Sequence, residues 1–139
     1  MFENMVCRIA GTALLVGLLL GCNAGDSSTA IVRGKVTLGG KPIPNGTITF
    51  MPASGTAASG EIQPDGSYTL TTFKPDDGAV PGKYQVIVVA MQDDPNALPE
   101  DRNPSPPSLI PIKYTSIATS DLKAVVEDKE NTIDFKLKE

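Results

Sequence analysis

From Ala30 to Lys138 apolar residues recur at every second position, and no window of a dozen residues carries them at the spacing of a helix face. The chain therefore predicts an all-β fold. In AIVRGKVTL, residues 30–38, Val32, Val36 and Leu38 share one face and Arg33, Lys35 and Thr37 the other, the alternation of a strand with one dry and one wet side. GGKPIPNG, residues 39–46, closes that strand as a turn. TITFMP then points Ile48 and Phe50 inward against Thr47, Thr49 and Met51, and stops at Pro52, which cannot donate to a ladder. Glu61 to Gln63 and SYTLTTF, residues 67–73, flank Pro64-Asp65-Gly66 and predict a hairpin with Tyr68 and Leu70 inward, because glycine takes positive φ at little cost. PGKYQVIVVAM, residues 81–91, sets Tyr84, Val86 and Val88 against Lys83, Gln85 and Ile87, and its continuous apolar end predicts the central strand of the core.

Beyond Met91 the pattern lapses. QDDPNALPEDRNPSPP, residues 92–107, is acidic and proline-rich with almost nothing to bury, and predicts a long loop. SLIPIKYTS reads as a short edge strand with Pro111 toward solvent, and DLKAVVED as a further strand. After a turn at Lys129 to Asn131, TIDFKLK is the most regular of all, with Ile133, Phe135 and Leu137 inward and Thr132, Asp134, Lys136 and Lys138 outward. About seven strands result, with turn signals roughly every 8–12 residues, the spacing of a Greek-key sandwich rather than a parallel α/β sheet.

The N-terminal segment follows another rule. Ile9 to Leu20 is an apolar block behind a short polar start that holds Glu3 and Arg8. A membrane-spanning helix needs about 20 apolar residues and a secretory signal only some 7–15, so the block fits export better than crossing. It ends at Leu19-Leu20-Gly21-Cys22, which resembles the bacterial lipobox, where a small residue precedes a cysteine whose thiolate takes a diacylglyceryl group before cleavage ahead of it. The resemblance implies a lipoprotein signal peptide over residues 1–21, a lipidated Cys22 with a flexible linker over 22–29, and one domain over 30–139. The linker, NAGDSST, is small and polar throughout. Cys7 leaves with the signal peptide and Cys22 is capped, so no thiol remains for a disulfide. Each lipid methylene contributes about 0.8 kcal/mol of membrane affinity, and two or more acyl chains anchor firmly.

Composition removes several functions. A chain of 139 residues is sized for one domain. Its formal charge of −4 comes from scattered acids and lacks the basic field that a phosphate backbone demands, which excludes nucleic acid. It has no histidine, hence no Ser-His or Cys-His pair, no histidine zinc site and no ordinary base near neutral pH. No catalytic residue, cofactor or metal is expected. Asp76-Asp77, Asp93-Asp94 and Glu100-Asp101 fall in loops, but their spacing matches no calcium loop and reads as solvated acid. Asn45-Gly46-Thr47 is a turn before it is a glycosylation site. A Lys35 to Asn131 cross-link is disfavoured because Lys35 alternates toward water and Asn131 falls in a turn.

VRGKVTLGGKPIPNGTITFMP, GEIQPDGSYTL and GAVPGKYQVIVV together resemble the carboxypeptidase regulatory-like domain, a transthyretin-like (prealbumin-type) β-sandwich found on bacterial surface lipoproteins. The tail IPIKYTSIATSDLKAVVEDKENTIDFKLK is similar to the end of the same proteins. The likeness covers nearly all of Ile31 to Lys138, and its motifs are structural: Gly34, Gly39, Gly40, Pro42 and Gly46 shape the first hairpin, Asp65-Gly66 turns the second, and Pro81-Gly82 launches the core strand. It implies a non-catalytic module on the cell membrane or outer membrane, held there through Cys22. The expected function is binding or adhesion to an envelope protein or glycan, as a monomer, with Asp93, Asp94, Glu100, Asp101 and Arg102 of the long loop as contact residues. The alternative is a structural spacer of the envelope with no dedicated ligand. Sugar sites stack a ring on an exposed aromatic, whereas this chain has no Trp and Tyr68, Tyr84 and Tyr114 fall at inward positions, which weakens the glycan side.

Overall fold

A computed structural model describes residues 28–93 and 106–139. The described residues form nine strands: β1 (Val32–Leu38), β2 (Lys41–Pro42), β3 (Thr47–Pro52), β4 (Ala58–Glu61), β5 (Ser67–Thr69), β6 (Gly82–Val89), β7 (Lys123–Val126), β8 (Asn131–Thr132) and β9 (Phe135–Leu137). They contain no α-helix.

One sheet is built around β1. On one side β5 pairs antiparallel with its first half and β2 with its second; on the other β8 and β9 run parallel to the same two halves. The second sheet is antiparallel throughout, in the order β4-β3-β6-β7. The two sheets close on the positions that alternation assigned inward. Val32, Val36, Ile48, Phe50, Leu70, Val86 and Val88 have no solvent exposure at all. Phe50 sits at the centre, its ring 6.3 Å from that of Tyr68, 5.7 Å from Tyr84 and 5.9 Å from Phe135. Tilted and edge-on pairs of this kind add about 0.5–1.5 kcal/mol each beyond the area they bury. This is an all-β sandwich held by packing, with no cysteine among the described residues.

Four local expectations are corrected. The turn over residues 39–46 contains a strand of its own, because Lys41 and Pro42 fold back opposite Leu38 and Thr37. The predicted hairpin around Asp65-Gly66 splits between sheets, since β4 joins β3 and β5 joins β1. Its arms are bonded at the ends alone, where Gln63 N–H bonds Ser67 at 2.8 Å and Ser59 bridges Thr71. The predicted edge strand over SLIPIKYTS is instead a 3-10 turn at Ile112–Thr115, with Tyr114 buried and Ile112 77% exposed. Finally, TIDFKLK is two strands and not one. Asn131, expected in a turn, begins the first of them and is buried; its side chain ties down Glu127 and Lys129.

The break between β8 and β9 has a single cause. The register does not slip, for Val32 faces Asn131 and Val36 faces Phe135 at the same offset. Ile133 N–H donates to Arg33 as a parallel ladder requires, at 2.8 Å. Its carbonyl, however, turns away to accept the Tyr68 hydroxyl at 2.6 Å, and the Asp134 carboxylate accepts Lys35 N–H in its place at 2.9 Å. Only glycine permits this at position 34, where a Cβ would lie 1.8 Å from the Ile133 oxygen. Burial holds the Tyr68 hydroxyl protonated well above its ordinary range, the Asp134 charge adding to the effect, so it remains a donor to that carbonyl.

Chain direction sorts the loops into two groups. β1, β6, β8 and β9 start, and β3, β5 and β7 finish, at the end where the chain enters through Ser28 and Thr29. This proximal end carries residues 53–57, 71–81 and 127–130. The distal end carries the turn at 39–46, the turn at 63–66, the neck of the long loop and Glu139.

Candidate partner-contact surface

The distal end carries Asp93, one of the residues the sequence assigned to contact. The long loop leaves through a closed neck: Gln92 N–H donates to Pro107 at 2.9 Å, Leu109 N–H to Ala90 at 2.8 Å, and Met91 bridges Ser108. Of the predicted contact residues Asp93 stands at this neck, exposed, where its carboxylate accepts the Asn45 side-chain amide. Asp94, Glu100, Asp101 and Arg102 lie outside the described residues, as does Cys22. Beside Asp93 opens a hollow of about 420 Å³ lined by Asn45, Thr47, Glu61, Ile62, Val89 and Met91 among others. The charged groups on its wall are the carboxylates of Glu61 and Asp93, and Met91 stands exposed beside them. An acidic rim around an exposed thioether is suited to a lysine or arginine side chain with its apolar stem.

Sequence reasoning missed Glu61, Asn45 and Met91 as members of this surface. Glu61 looked like the start of a hairpin arm and Asn45 like turn punctuation. The register of β3 against both β4 and β6 brings them together, since Thr47 faces Glu61 on one side and Val89 on the other. Asp65, on the neighbouring turn, accepts both the hydroxyl and the N–H of Ser67, at 2.6 and 3.0 Å. The hydroxyl bond and then the N–H bond hold its carboxyl below the usual range, keeping this end acidic.

The proximal end is organised differently. Asp77 accepts backbone N–H groups from Thr72, Phe73 and Lys74, at 2.7, 3.0 and 2.9 Å. Partial desolvation opposes its ionisation, but these three bonds outweigh it and set the carboxyl below its ordinary value. The Thr72 hydroxyl donates to Gly78, and buried Tyr84 donates to Val80, each at 2.6 Å. Asp76 alone among the described non-glycine residues has a positive φ, at 58°. With its carboxylate so engaged, Asp77 acts as a structural acceptor. Among the described residues no group of three or more His, Cys, Asp or Glu side chains could hold a metal ion. A hollow of about 470 Å³ at this end is walled by Ala53, Phe73, Val80, Pro81 and Lys83 among others. None of the described helices is long and apolar enough to cross a membrane.

Comparison with family models, with curated proteins and with solved structures gives no match.

Proposed function

We propose that this chain is an exported, lipid-anchored, non-catalytic module of the carboxypeptidase regulatory-like kind that offers its distal end to another protein of the bacterial envelope. The opposition of the two ends carries the reading. The described chain enters at one end, and the neck of the acidic loop lies at the other, so a tether at Cys22 leaves that neck at the end away from the membrane. Five residues lie between Cys22 and Ser28, six Cα steps, a reach of at most about 20 Å. Loops on a rigid sandwich are where such modules make contact. Protein is favoured over glycan because Tyr68, Tyr84 and Tyr114 are all buried, which leaves no tyrosine for a sugar to stack on. The Glu61 and Asp93 rim favours a basic partner.

Two experiments test the two halves. Metabolic labelling with a fatty-acid analogue is expected to mark the wild type and not Cys22→Ser; continued labelling of the variant would remove the anchor. A photo-crosslinker placed at Met91 is expected to capture a discrete envelope protein in living cells, and one placed at Thr56 is not. Silence at Met91, joined to silence on a glycan array, favours the spacer.

A further inference from the structure

The proximal end holds an arrangement that partner contact does not use. Phe73 is 56% exposed, and Ile31, at the same end, is 40% exposed. The backbone that carries Phe73 is fixed on both sides by Asp77, so the ring is held at the end of the body. Beside it the hollow walled by Ala53, Val80 and Pro81 continues the apolar surface. The incoming chain is sewn to this same end, since Ala30 and Ala79 exchange both backbone bonds, at 2.8 and 3.0 Å. Ala79 is the neighbour of Val80, so the tether joins the body beside the apolar surface.

We propose that this end is a membrane-contact surface, on which Phe73, backed by Ile31 and the Val80-Pro81 hollow, dips into the bilayer to which Cys22 ties the chain. The proposal rests on the lipid anchor described above. The occupant is a lipid surface because the tether decides what lies there: with about 20 Å of reach from Cys22, the interface is the neighbour this end meets. One phenylalanine is too small to recruit a free domain, but an anchored domain is already recruited, and the ring then sets its orientation. The charges here nearly cancel, with Lys74, Lys83, Lys129 and Arg33 at the same end as Asp76, Asp77, Glu127, Asp128 and Glu130. The contact is therefore apolar and indifferent to lipid charge.

The chain has no tryptophan, so one introduced at a chosen position reports alone. Lipidated full chains carrying Phe73→Trp or, at the distal end, Met91→Trp are reconstituted into vesicles of phosphatidylethanolamine and phosphatidylglycerol with brominated acyl chains. Both substitutions fall at exposed positions and leave the core intact. Quenching is expected to be several-fold stronger for Phe73→Trp than for Met91→Trp, with a blue-shifted emission that high salt does not change. Equal quenching in the two variants overturns the proposal while leaving the anchor standing. A blue shift that grows with protein concentration and ignores bromine also overturns it, because a second copy then covers Phe73. A chain that fails to float with the vesicles removes the anchor, and this proposal with it.

Discussion

At the proximal end the segment from Thr72 to Gly78 is tied from within by the carboxylate of Asp77, which gathers three consecutive N–H groups. At the distal end the loop that leaves at Gln92 is closed at its neck by backbone bonds and by the Ser108 hydroxyl, which donates to the Ala90 carbonyl at 3.3 Å, while the Asp93 carboxylate reaches out to the Asn45 side chain. Two aspartates of the same intrinsic acidity thus do different work. Asp77 substitutes for secondary structure in a segment too short to form any; Asp93 lies on an open surface and holds a neighbour. The proximal end accordingly behaves as part of the body, and the distal end as something the body carries. Variants at each end should separate on that difference.

The largest separation is expected at Gly78. Its φ is +89°, and a Cβ there would lie 1.8 Å from the carbonyl oxygen of Ala30, a backbone atom that cannot step aside. Gly78→Ala is expected to cost about 3 kcal/mol or more and to loosen the whole proximal end. Gly55, at the same end, has a φ of +105° but nothing within 4 Å. Gly55→Ala should then cost only the backbone strain, about 1 kcal/mol. Denaturant titration of the pair is the measurement, and equal losses would mean that the proximal end is not clamped.

Next comes the body on which both ends hang. Tyr68→Phe removes the donor to the Ile133 carbonyl and leaves a partly buried acceptor unmet, a loss of about 1–3 kcal/mol that hydrogen exchange should register at both ends alike. The sequence made half of this device visible. Alternation placed Val32, Val36, Ile48, Phe50, Tyr68 and Tyr84 in the core because period two with one buried face leaves no other register. Gly34, taken from the resemblance as a shaper of the first hairpin, instead lies inside β1 and makes room for the Ile133 carbonyl. What the sequence could not disclose is this approach, because the rotation of the Ile133 peptide is decided by a hydroxyl 65 residues away. The segment at 108–116 misled for a related reason. Ile110, Ile112 and Tyr114 alternate as in a strand, yet the inward pair is Ile110 and Tyr114. The Tyr114 hydroxyl both receives Lys138 N–H at 3.1 Å and faces its carbonyl at 3.3 Å, which plugs the open edge of β9. Of the contact surface, the acidity of the loop was legible, whereas Glu61 and Asn45 join it only through strand register.

Asp77 tests the proximal end by pH. Its folded pKa lies below the unfolded value of about 3.9, so its contribution to stability is complete above that value and fades as pH falls through the folded one. Wild type and Asp77→Ala should differ by about 1 kcal/mol at neutral pH, the bonds being partly open to solvent. The two curves should draw together below about pH 4. Asp77→Asn keeps one acceptor oxygen and should fall between them. A gap that persists into acid would show that shape, and not charge, holds the segment.

Asp93 gives the smallest effect, and the most telling for the contrast. It is exposed, and its tie to Asn45 sits outside the core. Asp93→Ala should change stability by less than about 0.5 kcal/mol, since a lone surface hydrogen bond is screened by water and offset by the entropy of holding two side chains together. The same substitution takes one of the two carboxylates from the hollow beside Met91. A basic partner should therefore bind more weakly while the melting curve stays in place. Should stability fall at Asp93 as far as at Asp77, the two ends would be built alike, and the division between a clamped face and a carried one would not hold.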